Sequence, residues 1–183
     1  DGIDIDMAYS GTIKTAIVES AVDSDGAFEI DGPKDISYEA KNTIAELTVY
    51  GRFTEDASDS DQLGRIRENI QIKMSNVLYQ GVAAEKSKFE KFSENNGNYK
   101  NIVTARSFGT DLSGSEDIIF SDFYFNGNFS QASIVGPNTI NDNSNRDINT
   151  AFENWASIGT TPEADQGADE TVFEWTWWGQ TNN

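Results

Sequence analysis

The feature that most constrains the fold is a repeat of acidic glycine turns and short β-branched strands. The opening DGIDID at residues 1–6 returns as DGAFEIDG at residues 25–32. The strand GTIKTAIVES at residues 11–20 is followed by the similar NTIAELTVYG at residues 42–51, and a looser copy, GRIRENIQIKMSNVLYQG, occupies residues 64–81. Apolar side chains alternate within these runs, which predicts strands with one buried face.

Spacing of the copies points to stacked units. Repeats of roughly 20 to 30 residues are typical of solenoids, whose coils each need a neighbour to bury an apolar face. The sequence therefore predicts an all-β right-handed parallel β-helix (solenoid) with short helical insertions and an aromatic C-terminal cap. An antiparallel sandwich is the alternative, since it has similar short strands and turns.

The predicted β-helix covers residues 1–183 as one region. Two stretches break the strand pattern and predict helical insertions, at residues 82–97 and 150–159. The aromatic, β-prone residues 160–183 are predicted to cap the open end of the stack, as terminal repeats must.

Charge and composition exclude several classes of function. The net charge of −18 argues against nucleic-acid binding, because phosphate contact needs a basic face. The chain has no Cys and no His, which excludes disulfides, thiol catalysis, Ser-His-Asp triads and ordinary zinc sites. No apolar run is long enough to span a bilayer.

Three segments resemble a known family. The opening 32 residues, the later GRIRENIQIKMSNVLYQG and the closing GADETVFEWTWW are similar to the C-terminal half of secreted, lipoprotein-like parallel β-helix proteins at the surface of Bacteroidota-type bacteria. The likeness touches the first 80 residues and the last 15. It implies an extracellular, outer-membrane location and a chain that begins in the middle of a stack. The family has no established catalytic residue, so none is transferred.

A first coil in mid-stack would expose a row of unpaired backbone groups, and such an edge aggregates unless it is covered. We therefore expect another polypeptide against residues 1–20, either the N-terminal half of the same protein or another surface protein.

Acidic turn residues on successive coils suggest a metal site. Stacked carboxylates repel one another, and a bound Ca²⁺ would neutralise them. The alternative is that these residues are solvated turn aspartates bonded to their own backbone. The candidate calcium ligands are Asp4, Asp6, Asp23, Asp25 and Asp31.

The aromatic residues near the C-terminus suggest a ligand-binding surface. Flat rings match the apolar faces of sugars. If residues 173–178 form a strand, Phe173, Trp175 and Trp177 share the face that caps the stack, and Trp178 points the other way. Trp178 is thus the candidate for exposure, and Trp178 and Tyr124 are the predicted ligand-binding residues.

Three functions follow from these observations. The first is a non-enzymatic cell-surface protein that acts in binding or assembly at the outer membrane, as an accessory subunit of a surface complex. The second is a glycan-binding module. The third is a polysaccharide lyase or hydrolase, with Asp4, Asp6, Asp23, Asp25, Arg65 and Arg67 drawn from this chain and the rest of the active site elsewhere.

Overall fold

A computed structural model describes residues 2–6, 9–20, 26–32, 41–52, 63–67, 71–82, 89–90, 107–108, 116–131, 134 and 152–182. The elements in chain order are β1 (Ile3–Ile5), β2 (Gly11–Ser20), β3 (Phe28–Asp31), β4 (Lys41–Arg52), β5 (Gly64–Arg67), β6 (Gln71–Val82), β7 (Phe89–Glu90), β8 (Ser107–Phe108), β9 (Glu116–Gly127), α1 (Phe152–Trp155), β10 (Ala156–Gly159), a 3₁₀ helix (Glu170–Phe173) and α2 (Trp177–Asn182).

The strands form two sheets. The larger has six strands and runs β10-β9-β6-β4-β2, with β8 pairing to β9; the smaller has four, in the order β1-β3-β5-β7. Every pairing between described strands is parallel. The smaller sheet adds its strands in chain order, and the larger sheet does so along β2, β4, β6, β9 and β10; β8 lies outside this order and pairs with β9.

The prediction of a right-handed parallel β-helix is wrong. The described residues form two parallel sheets, and no closed coil is present among them. The repeat misled because parallel strands always need a crossover of a dozen or more residues before the chain can return in the same direction. A spacing of roughly 20 to 30 residues therefore indicates parallel pairing, and it does not distinguish open sheets from a closed coil.

Equivalent residues lie in columns because the pairing is in register. Ala16, Leu47, Val77, Phe123 and Ala156 are successive partners across the larger sheet. Two residues further along each strand, a second column contains Val18, Val49, Tyr79 and Phe125, and the rings of Tyr79 and Phe125 stack with centroids 5.1 Å apart. These columns supply the buried face, and the residues between them point to the opposite face.

Both sheets contribute to one hydrophobic core. Phe28 and Ile30 of the smaller sheet belong to the same buried cluster as Leu47 and Val77 of the larger one. The buried hydroxyl of Tyr79 donates to the carbonyl oxygen of Leu63 at 2.6 Å, which satisfies the one polar atom of this ring.

The two predicted helical insertions have different outcomes within the described residues. Within residues 82–97, Phe89 and Glu90 form β7, paired with Gly64 and Arg65, and the other residues after Val82 lie outside the described ones. Within residues 150–159, Phe152–Trp155 is helical, but Ala156–Gly159 continues as the strand β10. Trp155 packs its ring edge-on against Phe120 and Phe123 of β9, and Phe152 packs edge-on against Trp155, which positions the start of β10.

The predicted aromatic cap is also wrong. Residues 170–182 form a 3₁₀ helix and α2 rather than a strand. Just before and at the start of this segment, Gln166, Gly167 and Glu170 make hydrogen bonds to β9, β6 and β4. Among the described residues, no helix is long and apolar enough to cross a membrane.

Glycines stack where the long strands end. Gly51, Gly81 and Gly127 are in register, and Gly81 and Gly127 have φ of 147° and 133°. A Cβ on Gly81 would lie 1.9 Å from the carbonyl oxygen of Gly51, and one on Gly127 would lie 2.0 Å from that of Gly81. The column therefore needs residues without a side chain.

We predict that Gly81→Ala lowers the free energy of unfolding by about 1–3 kcal/mol, because it adds a strained φ and a backbone clash. Urea denaturation measures the change. Lys73→Ala on the same strand is exposed and should shift stability by no more than about 0.5 kcal/mol. Equal effects of the two substitutions would contradict the steric argument.

Candidate functional site

A column of left-handed residues bends each long strand at the same point. Thr15, Glu46, Asn76 and Asp122 have φ of 60°, 55°, 52° and 56°, and each falls in the single gap between registered pairs of neighbouring strands. Asn and Asp tolerate this conformation, whereas a β-branched Thr rarely adopts it. The bend interrupts the alternation of buried and outward side chains along the strand. After the bend the alternation starts again, so Thr48 and Tyr50 of β4 point outward.

Side chains in this column bond to one another. The Thr15 hydroxyl donates to the Glu46 carboxylate, and Lys14 Nζ lies 3.3 Å from the same carboxylate. The Thr15 hydrogen bond, followed by the Lys14 charge, lowers the pKa of Glu46 against the opposing effect of partial burial. Ionised Glu46 thus ties β2 to β4 at the bend.

Asn76 holds the C-terminal segment. We call residues 163–182 the strap. The Asn76 amide nitrogen donates to the carbonyl oxygens of Asp165 and Gly167, both at 3.1 Å, and its oxygen accepts from the Gly167 N–H at 2.7 Å. Three bonds from one side chain make Asn76 the main polar attachment of the strap to β6.

Outward residues of β4 and β9 extend this attachment. The buried Thr48 hydroxyl accepts from the Ala168 N–H at 2.8 Å, and the Asn126 amide donates to Gln166 at 3.3 Å. Gly167 has φ of 77°, and a Cβ there would lie 2.3 Å from the Thr48 hydroxyl oxygen and 2.7 Å from Leu78 Cβ. Only a glycine lets the strap backbone approach the sheet this closely.

Tyr50 forms the aromatic part of the attachment. Its hydroxyl donates to the Glu170 carboxylate, and its ring stacks on Trp178 with centroids 6.0 Å apart. Phe173 meets Trp178 edge-on at 6.4 Å. Burial, followed by the bond to Glu170 and its negative charge, raises the pKa of Tyr50. Tyr50 is therefore a neutral donor across the physiological range.

Local hydrogen bonds shape the strap itself. Asp169 caps the 3₁₀ helix by accepting from the Thr171 N–H at 3.0 Å and from the Thr171 hydroxyl at 2.6 Å. The Thr176 hydroxyl donates to the Phe173 carbonyl oxygen at 2.6 Å and accepts from the Gly179 N–H at 3.1 Å. These bonds satisfy backbone groups that a strand would have left for a neighbouring strand.

The strap leaves two large rings in solvent. Trp175 and Trp177 are 81% and 78% exposed, whereas Trp178 is half-buried against Tyr50. The prediction of Trp178 as the exposed ring assumed a strand. In the observed turn and helix, Trp178 is the anchor and its neighbours are free to contact a ligand.

The structure separates the predicted metal ligands. Asp4 and Asp6 are exposed at β1, and Asp31 is buried at the end of β3, where Arg67 is its partner in register. Asp23 and Asp25 lie outside the described residues. Within the described part of the chain, no three acidic side chains are grouped so that they could hold a metal ion. Calcium binding stays a prediction.

The second predicted ligand residue, Tyr124, is half-buried and lies on the outward face of β9. Burial raises the pKa of its hydroxyl, with smaller contributions from the carboxylates of Asp122, Asp165 and Glu163. Trp178 and Tyr124 therefore have different surroundings: an aromatic cluster for the tryptophan, and an acidic one for the tyrosine.

Sequence reasoning missed the residues that hold the strap, Thr48, Tyr50 and Asn76. A signal was present in the strings AELTVYG, SNVLYQG and SDFYFNG, which align at residues 45–51, 75–81 and 121–127. In each string, the second residue has the left-handed conformation. The next three residues are a buried apolar one, an outward one and a second buried apolar one, and the string ends in glycine. Aligning the repeats on that glycine would have identified the outward positions.

Comparison with known proteins adds no relative. No protein family matches this chain, and no curated protein or solved structure matches it either. The resemblance to surface proteins of Bacteroidota-type bacteria therefore stays a prediction, and so does the location that it implies.

We predict that Asn76→Gly releases the strap from β6 while leaving the bend intact, because glycine keeps the left-handed conformation. Loss of three hydrogen bonds should lower the free energy of unfolding by about 1–3 kcal/mol. Hydrogen exchange at the Gly167 amide should accelerate. Asp122→Gly makes the same change at the next bend and serves as the control; equal exchange at Gly167 in both variants would contradict this role of Asn76.

The Asp169 cap predicts a pH dependence. Both Thr171 bonds lower the pKa of Asp169 below its ordinary value of 3.8, so its stabilising effect is present above pH 3.8 and is lost as the pH falls through the lower value of the folded state. Asp169→Asn keeps an acceptor without the charge. We expect the stability advantage of the wild-type chain over this variant, measured by chemical denaturation, to shrink on acidification. A difference that is constant with pH would rule the charge out.

Proposed function

We propose that this chain is a non-enzymatic binding and assembly protein that engages another polypeptide along the edge formed by β1 and β2. The observation that carries the proposal is the strand order, in which β1 and β2 are the terminal strands of their sheets within the described part of the chain. A terminal strand presents backbone N–H and C=O groups that another strand can use.

Burial of the core supports the same edge. Ile3, Ile5, Ile13 and Ala16 pack against the core but are only partly buried, whereas their counterparts further into the sheets, such as Ile30, Ile44 and Leu47, are fully buried. The apolar columns that end at Ile3, Ile5, Ile13 and Ala16 are therefore incomplete at this edge, whereas Val18 is already buried. One more rung from a partner would cover them, and each fully buried aliphatic side chain contributes about 1.5–3 kcal/mol.

The opposite edge suits a partner less well. Strand β10 has four residues, whereas β2 has ten. Short edge strands are one of the ways in which proteins prevent further pairing. The long edge is therefore the better docking surface.

Register and charge define the partner. A strand parallel to β2 would place apolar side chains opposite Ile13, Ala16 and Val18, and a residue that tolerates positive φ, such as Asn, Asp or Gly, opposite Thr15. Asp4, Asp6 and Glu19 are exposed at this edge, so a basic partner is favoured. A second copy is disfavoured, because residues 1–63 carry 15 acidic and 4 basic residues.

The non-enzymatic part of the proposal has chemical support from the sequence. Without His or Cys, catalysis would need carboxylates, Arg or Lys placed together. Asp4 and Asp6, two of the carboxylates considered for polysaccharide cleavage, are solvent-exposed at an edge rather than gathered in a cleft. We place the protein at the outer-membrane surface on the resemblance alone.

Site-specific photo-crosslinking tests the proposal. Thr12, Thr43 and Lys73 are successive partners across β2, β4 and β6; Thr12 and Lys73 are exposed. A benzoylphenylalanine at position 12 can reach a strand added about 4.8 Å beyond β2, while one at position 73 lies two strands inside the sheet. In the cells that make this chain, position 12 should capture one distinct polypeptide and position 73 should not.

The sequence of the captured peptide shows whether the proposal is right. A segment with apolar alternation and basic flanks, together with slower hydrogen exchange in β2 of the purified complex, supports strand addition. Capture of only a second copy of this chain, equal capture from positions 12 and 73, or no capture overturns it.

A further inference from the structure

We propose that the strap is a second binding surface, which takes a cationic peptide segment on the exposed rings of Trp175 and Trp177. This surface shares no residue with the edge of β1 and β2, so either proposal can fail without the other.

Exposure of the two rings is the first observation. Trp175 and Trp177 are 81% and 78% exposed, although Trp178 beside them is packed against Tyr50 and Phe173. Tryptophan in water is unfavourable as a purely structural residue, and large exposed rings mark binding sites more often than scattered aliphatic side chains do. Val172 on the same segment is 47% exposed and extends the apolar surface.

The rings stand on a backbone that is already ordered. The Thr176 hydroxyl, between the two tryptophans, bridges the Phe173 carbonyl oxygen and the Gly179 N–H. The Thr181 hydroxyl donates to the carbonyl oxygens of Trp177 and Trp178, at 3.0 and 3.1 Å. Asn76 and Thr48 fix the start of the strap to the sheet. A preorganised pair of rings loses little entropy when it binds a ligand.

Charge selects the ligand. No Lys or Arg follows Arg146 in the sequence, while Glu163, Asp165, Asp169, Glu170 and Glu174 all lie on the strap. Indole faces attract ammonium and guanidinium groups, and carboxylates on the same short segment add direct attraction. An anionic ligand would be repelled. A neutral sugar would use the rings but would gain nothing from the carboxylates.

The test measures anisotropy of a dye-labelled hexalysine peptide against its Nε-acetylated counterpart, which has the same length without the charge. The wild-type chain should bind the charged peptide, and affinity should fall as salt is raised. Trp175→Leu and Trp177→Leu should each weaken binding about twofold to fivefold, and the matching Phe variants should keep more of it, since a cation needs an aromatic face.

Two exposed carboxylates provide the matched control. Glu174→Gln on the strap and Glu153→Gln on α1 each remove one negative charge. We expect Glu174→Gln to weaken binding and Glu153→Gln to have a smaller effect. Circular dichroism verifies that the variants stay folded. Hydrogen exchange of the strap verifies that the contact between Tyr50 and Trp178 is kept.

Several results would overturn the inference. Equal effects of the two Gln variants, or none from the Leu variants, would mean diffuse attraction to an acidic protein. Equal binding by Leu and Phe variants would mean apolar contact without a role for the cation. Binding of the acetylated peptide, or of neutral oligosaccharides in preference to hexalysine, would assign the rings to an uncharged ligand.

Discussion

In-register parallel pairing is the constraint on which the rest of this structure depends. Because β2, β4, β6 and β9 stack without a shift through their shared lengths, every local requirement of one strand becomes a requirement of its neighbours. The left-handed bend recurs at Thr15, Glu46, Asn76 and Asp122, and the closing glycines recur at 51, 81 and 127. A strand that lacked its bend would shift its following side chains to the wrong face, since the alternation has a period of two.

The bend also explains why a strap can be held on the outside of the sheet. Beyond it, Thr48, Leu78 and Tyr124 form one outward column, and Tyr50, Gln80 and Asn126 form the next. These columns offer hydroxyl and amide groups at the regular separation of about 4.8 Å between strands. Thr48 and Asn126 in these columns, together with Asn76 at the bend, make hydrogen bonds to successive residues of the strap, from Asp165 to Ala168. Beside this attachment Tyr50 and Trp178 pack together, and residues 170–182 satisfy their backbone groups locally as helical turns.

The repeated strands could be predicted from the sequence, whereas the overall architecture and the C-terminal segment could not. Strands at residues 11–20 and 42–51, their buried alternation and their pairing as neighbours follow from the repeat, because periodicity and burial are local properties. The looser copy at residues 64–81 contains two strands, β5 and β6, which belong to different sheets. The closed coil did not follow, since crossovers of similar length serve open parallel sheets equally well. The final aromatic segment has high β propensity, yet Asp169, Thr176 and the outward face of the sheet favour helical turns. Tertiary contacts override the local β propensity there. The exposed rings are therefore Trp175 and Trp177 rather than the predicted Trp178.

The acidic surface gives the two proposed binding sites a common logic. An open parallel sheet with a long edge is a template for pairing with copies of itself. At the edge of β1 and β2, the apolar residues Ile3, Ile5, Ile13 and Ala16 are only partly buried. Asp4, Asp6 and Glu19 are exposed at β1 and β2, and the like charges of a second copy would oppose such pairing. Under the proposal made above, the same charges would attract a basic partner, whose strand could complete the apolar columns without that repulsion. The strap, if it takes a cationic segment as proposed, would use the same sign of charge independently of this edge. One sign of charge would then both oppose self-pairing and favour basic ligands.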